Sequence, residues 1–465
     1  MRCETRRRLL QRGVVLASAT AASGIAASAC IGSPQDASIA GAPTPGTRSG
    51  VTIAFAHDGA TEAELQARRE NLAAFVAQYP QFKTEQQSYP GTYNDKISTL
   101  VAAGTAPDVL YVGNGAQVTT RAAQGALLEL GPLVRRDKFD TSDMFESAVA
   151  LYQFCGKQYA YPIDFPNQQL YYNVDLFEQA GATLPPGSWN DDSWTFERFL
   201  DTARRVTKSP EAGSGQWGYM TGHTGFRSWW VWVAANGGEY FDKDLKTCLL
   251  NEPPAVEAFQ FLQDLVFKHQ VMPTPAQGAE AGGTLNGFIN GRLAMSTNPP
   301  RFGELRTRFK QRWDVAPHPR GTGSRARRAC AGGGTGLALA SSAAGGKNTN
   351  EAWELLKFLE TRPQVESYIR TVGIVPPLKS VANSTAFADP SQPPKSIKIF
   401  TDGAQYLRPD PSISRWTDID RLVIEELTTL FNNSKSAKTV ADSIKLRVDA
   451  ILREITASGE LACRQ

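Results

Sequence analysis

The stretch that most constrains this chain is residues 51–112, where two short buried strands bracket two helices. Val51, Thr52, Ile53, Ala54, Phe55 and Ala56 form a β-branched, apolar run, as in a buried strand, and it ends at His57-Asp58-Gly59. Thr61 and Glu64 stand at capping-box spacing, and Leu65, Leu72, Phe75, Val76 and Tyr79 share one helical face before Pro80 stops it. Ile97, Leu100 and Val101 mark a second helix closing at Gly104, after which Pro107-Asp108-Val109-Leu110-Tyr111-Val112 reads as another buried strand. This order predicts parallel α/β architecture.

At 465 residues the chain exceeds what one hydrophobic core usually supports, so two domains are expected. Its net charge of +3 is concentrated at the start, where the first 29 residues hold five arginines against one glutamate. The remainder sums to about −1, a near-neutral body without the electrostatic footprint of a nucleic-acid binder.

The start, TRRRLLQRG at residues 5–13, is followed by an Ala-rich apolar stretch at 14–29 and then Cys30. These are the parts of an export signal, and the apolar part is shorter than a membrane span of ~20 residues. Residues 5–11 resemble the twin-arginine export pattern, and Ala27-Ser28-Ala29-Cys30 resembles a bacterial lipobox in which Cys30 is lipidated after cleavage. Ala27 stands where leucine is usual, so ordinary cleavage is the alternative. Residues 1–29 are thus expected to be an export signal and 30–50, rich in Pro, Gly, Ser and Ala, a lipid anchor and a tether reaching roughly 25 Å. Cys155, Cys248, Cys330 and Cys463 lack CxxC spacing, so no metal site is expected; three disulfide pairings and free thiols all stay open.

Seven motifs then occur in order: YNDKISTLVAAGTAPDVLYVGNG (93–115), GKQYAYPID (156–164), LYYNVDLFEQAG (170–181), AANGGEYF (234–241), FINGRLAM (288–295), AWELLKFL (352–359) and GIVPPLKS (373–380). Together they resemble the extracellular solute-binding proteins of ATP-driven importers, the family that includes maltodextrin-binding and glycerol-phosphate-binding proteins. The resemblance implies a two-lobed, type II clamp in which a hinge of crossing strands joins two α/β lobes and ligand sits in the cleft between them. Closure works because ligand touches both lobes only in the closed form. Hinge strands are expected at 161–172, near 335–338 and near 375–379. Lobe one then comprises residues 50–163 plus 335–376, and lobe two 164–334 plus 377–465. The basic cluster Arg325, Arg327 and Arg328 before Cys330 departs from the family pattern and reads as a solvated loop.

The expected ligand is a sugar, which needs carboxylates and amides for its hydroxyl edge and flat aromatics for its faces. Asp58 and Asn114, at strand ends, are candidate edge binders; turn roles are the alternative. Trp229, Trp230 and Trp232 fall within one helical turn, and Trp230, pointing away from the other two, is the candidate stacking platform. Asn298 and Arg301 follow the family's Ala-Met strand as a hydroxyl partner and an anion partner. Gly333 lets backbone amides approach a ligand, and Asp164 and Trp416 complete the set, Trp416 requiring the C-terminal region to fold back over the cleft.

Neither catalysis nor a cofactor is expected. His57, His223, His269 and His318 have no metal spacing, HExxH and GxSxG are absent, and Gly345-Gly346-Lys347-Asn348 lacks the Ser or Thr of a phosphate loop. The expected partners are a small solute, the membrane-spanning permease subunits and, through the lipid, the outer face of the membrane, with the chain itself a monomer. A binder of glycerol phosphate or a polyamine, with Arg301 and Arg227 as anion partners, is the alternative within the class; a secreted glycosidase is the alternative outside it.

Overall fold

The computed structural model describes residue 48 and residues 50–458 apart from 60, 114, 166 and 209–214. Asn114, Cys30, the export segment and nearly all of the tether therefore lie outside the described residues.

Two sheets organise the chain. The first has five strands in the order Phe82–Ser88, Val51–His57, Val109–Gly113, Thr335–Leu339 and Ala160–Pro162. Four run in one direction and Thr335–Leu339 runs against them. Phe82–Ser88 is an element that the strand, helix, helix, strand reading did not include. Its sequence, FKTEQQS, buries only Phe82 and pairs along one side, so it carries no apolar run. The second sheet has four strands, Trp313–Ala316, Gln169–Asn173, Leu293–Asn298 and Trp217–Met220, of which Gln169–Asn173 runs against the rest.

Local signals act where they were read. Thr61 caps the helix Glu62–Gln78 in a reciprocal box with Glu64, and Gly104, at φ +66°, follows the helix Tyr93–Ala102. The core of the second half is aromatic. In the helix Phe226–Ala235 every residue but Arg227 is buried, between Pro253–Phe267 and the sheet, with Trp416–Phe431 and Ala437–Ser458 completing the layer. Each buried aromatic there contributes on the order of 2 kcal/mol.

Backbone hydrogen bonds lace the segments that pass between the sheets. Ile163 donates to the carbonyl of Thr335 at 2.9 Å, Phe165 to that of Val375 at 2.9 Å and Gln168 to that of Ala331 at 2.8 Å. Tyr152 wedges against this junction. A Cβ on Gly334 would stand 2.7 Å from its Oη, and one on Gly336 would stand 2.6 Å from its ring. Cys248 and Cys330 are buried free thiols, whereas Cys155 is engaged in a disulfide. No helix among the described residues is long and apolar enough to cross a membrane.

Candidate functional site

A cavity of ≈ 720 Å³ opens between elements of the two halves. One wall belongs to the first sheet's helices. Helix Tyr93–Ala102 turns Tyr93 and Ile97 into the core, which leaves Asn94, Asp95 and Ser98 for the cavity. Strand Val109–Gly113 then ends in a tight turn. The carboxamide of Gln117 accepts from the Gly113 amide at 2.9 Å, and Thr120, Arg121 and Gln124 follow on the next face. Arg121 is buried and tied down, donating to the Tyr111 carbonyl at 3.4 Å and to the Asn94 side-chain oxygen at 3.2 Å.

The opposite wall carries Arg227, Asp410, Trp416 and Thr417. Arg227 and Asp410 form a two-point fork, Nε to Oδ1 at 2.9 Å and Nη2 to Oδ2 at 2.7 Å. Burial works against the Arg227 charge, and the Asp410 carboxylate more than offsets it, holding the guanidinium above its usual range. Trp416 opens the helix Trp416–Phe431, 8% exposed, with Phe226 and Tyr240 packed edge-on against it at 5.0 and 5.3 Å between centroids. The walls touch at Gly115, whose φ of +60° brings its Cα so close to the Asp410 carbonyl that a Cβ would stand 2.9 Å from it.

The proposed site residues separate into groups. Trp416 and Thr417, at the start of the helix Trp416–Phe431, line the cavity. Trp230 does not line it. At 4% exposure it stacks on Phe226 at 5.9 Å and packs against Tyr240 inside the aromatic core, and Arg227 is the residue of that helix that reaches the cavity. Asp58 and Arg301 both lie within electrostatic reach of Glu64, as does Asp164. Asp164 accepts from the Thr335 amide at 2.7 Å, and burial lifts its carboxyl to about 7. Gly333 is buried in the crossing segment beside it. Asn298 is buried, its carboxamide donating to Ser296 Oγ at 2.7 Å.

Near this group lies a buried ionic cluster with no sequence signal. Arg68 lies over the ring of Tyr368 at 3.7 Å and donates to the hydroxyl of Tyr111. Among the described residues neither carboxylate oxygen of Glu360 has a hydrogen-bond partner, and burial pushes that carboxyl up to about 8. The cavity residues Asn94, Asp95, Gln117, Thr120 and Asp410 were also not picked out. The polar side of the 93–102 helix was the only hint, since Asp410 depends on a contact across the chain. Among the described residues no group of three His, Cys, Asp or Glu side chains is placed to hold a metal.

A binding protein of Brucella abortus is 24% identical over 407 residues, 85% of this chain and 93% of its own length. The fold matches an ABC substrate-binding protein of Listeria monocytogenes solved in complex with cycloalternan, at a TM-score of 0.76 and 23% identity, covering 87% of this chain and 99% of that one. It also matches a Mycobacterium tuberculosis protein solved with glycerophosphocholine, at 0.72 and 21%, covering 87% and 99%. These likenesses establish the two-lobed type II architecture. The sequence profile of the bacterial extracellular solute-binding proteins matches residues 59–366, and the chain belongs to that family.

Proposed function

We propose that the chain is the extracytoplasmic solute-binding component of an ATP-driven importer and holds a neutral carbohydrate in the interlobe cavity. The observation that carries this is the cavity's chemistry. Amides, hydroxyls and carboxylates of Asn94, Asp95, Gln117 and Thr120 face one indole, Trp416, and the two arginines are already engaged. Hydroxyls need such mixed donors and acceptors, and a sugar ring face needs the indole. The cycloalternan complex of the Listeria relative supports the same ligand class.

A phosphorylated solute is the second reading, supported by the glycerophosphocholine relative and by Arg227 in the wall. It requires Arg227 to leave Asp410. Titrating the mature protein with maltooligosaccharides and with glycerol phosphates, read by the fluorescence of its nine tryptophans, separates the two. Saturable change with a saccharide is expected; response to the phosphate alone, or steady glycoside cleavage, would overturn the proposal.

The same reading assigns 50–163 plus 335–376 to lobe one and 164–334 plus 377–465 to lobe two, a division supported by the membership of the two sheets. It delivers solute to a permease as a monomer, held at the outer membrane face by lipidated Cys30 after twin-arginine export. Asp58, Asp164 and Arg301, grouped around Glu64, with Gly333, act at the cleft floor, and Asn114 is an edge binder.

A further inference from the structure

A second recess, of ≈ 340 Å³, shares no lining residue with the interlobe cavity, and its chemistry is opposite. Four guanidinium groups converge on it, those of Arg320, Arg327, Arg328 and Arg408, against one lining carboxylate, Asp192. The parallel pairing of Cys330–Gly332 with Leu407–Pro409 brings them together, because Arg327 and Arg328 lead into the first strand and Arg408 sits in the second.

Three of the four are held in place from behind. Arg327 donates to the carbonyls of Ala234 at 2.9 Å and Gly238 at 2.7 Å, and pairs with Glu239. Arg320 donates to the Asp192 carbonyl at 3.2 Å, while Arg328 pairs with the Asp192 carboxylate at 2.8 Å and lies 6.0 Å from the Tyr406 ring centroid. Asp192 is 67% exposed, so it neutralises little of this charge. Arg408 stands apart. Its buried Nε has no hydrogen-bond partner, and its side chain makes no ion pair among the described residues. Burial and the nearby charge of Arg327 hold it below the usual guanidinium range. Arg325, the other basic residue of this segment, stays exposed and outside the recess.

We propose that this recess is a second binding site, for a phosphate group. A guanidinium fork matches a phosphate oxygen pair, and a multivalent anion relieves the repulsion among four like charges that Asp192 and Glu239 only partly offset. The group comes either from a small soluble phosphate or from a phospholipid headgroup.

The test uses the mature protein at low salt without saccharide. Inorganic pyrophosphate is titrated by calorimetry, and vesicles of phosphatidylcholine with and without phosphatidylglycerol are assayed by co-sedimentation. Saturable pyrophosphate binding weakened about tenfold in Arg408→Gln, and unchanged in Arg325→Gln, is expected. Arg328→Gln serves as the parallel variant should Arg408→Gln fold poorly. Arg408-dependent sedimentation with phosphatidylglycerol alone would assign the site to a lipid headgroup. Binding of neither probe, or equal binding by wild type, Arg408→Gln and Arg328→Gln, would overturn the proposal. Saccharide titration of the same variants stays unchanged, so failure here leaves the cavity's role intact.

Discussion

The interlobe cavity and the arginine recess both present guanidinium groups, yet they are built for opposite ligands. In the cavity Arg227 is forked to Asp410, and Arg121 is spent on a carbonyl and Asn94. In the recess four arginines meet Asp192 and Glu239, and Arg408 makes no ion pair among the described residues. Counting arginines would make both sites anion sites. What matters is whether the fold has already supplied the counter-charge, since only an unmatched guanidinium has attraction left for an incoming anion.

The sharpest way to break this contrast is to remove the counter-charge. Asp410→Ala removes the carboxylate fork from the partly buried Arg227, which is expected to cost on the order of 2 kcal/mol of stability in denaturant melts. The surviving cavity should then bind glycerol phosphate in preference to a saccharide; unchanged preference would show that pairing does not set ligand class. Trp416→Phe keeps an aromatic against Phe226 and Tyr240 but shrinks the face offered to a ring. Saccharide affinity should fall by about 1 kcal/mol in a fluorescence titration, with pyrophosphate binding at the recess untouched.

The buried carboxyls extend the same logic to pH. Asp164 and Glu360 are lifted to about 7 and about 8 by burial, so the folded state binds more protons than the unfolded chain above pH 4.5. Their stabilising protonation is lost as pH rises through these values. His57, lowered to about 4 by burial and by Arg68, acts in the other direction and weakens the fold below pH 6.5. Melting temperature should therefore fall between pH 6.5 and 8.5, and Glu360→Gln should flatten that fall; an unchanged slope would remove Glu360 from the account. The smallest effect belongs to Arg325→Ala, expected within about 0.5 kcal/mol of wild type in melts, because its side chain is exposed.

What the sequence disclosed follows from how far apart the interacting residues lie. Thr61 and Glu64 are three positions apart, and Gly104 acts on the helix just before it, so cap and stop were legible locally. Trp230 was misjudged because helical geometry gives its direction relative to Trp229 and Trp232 but not what surrounds the helix. Here Phe226 and Tyr240 wait on the side that pattern alone would leave open. Arg68 was invisible for a related reason. It sits on the apolar face of Glu62–Gln78, and the residues that make it tolerable there, Tyr368 and Glu360, come from far along the chain. Trp416 could be nominated as an aromatic, whereas its partner Asp410 carries no mark of the Arg227 contact.

The position of Thr335–Leu339 in the five-stranded sheet has a consequence for how the molecule is made. This strand lies between Val109–Gly113 and Ala160–Pro162, and among the described residues it is the sole sheet partner of the latter. On the ribosome, the half begun first thus has a gap in its sheet until residues 164–334, the larger part of the other half, have been synthesised. Completion of each half waits on segments made late in translation, Thr335–Leu339 for the first and Trp416–Phe431 with Ala437–Ser458 for the second, which favours folding of the whole chain over sequential, domain-by-domain folding.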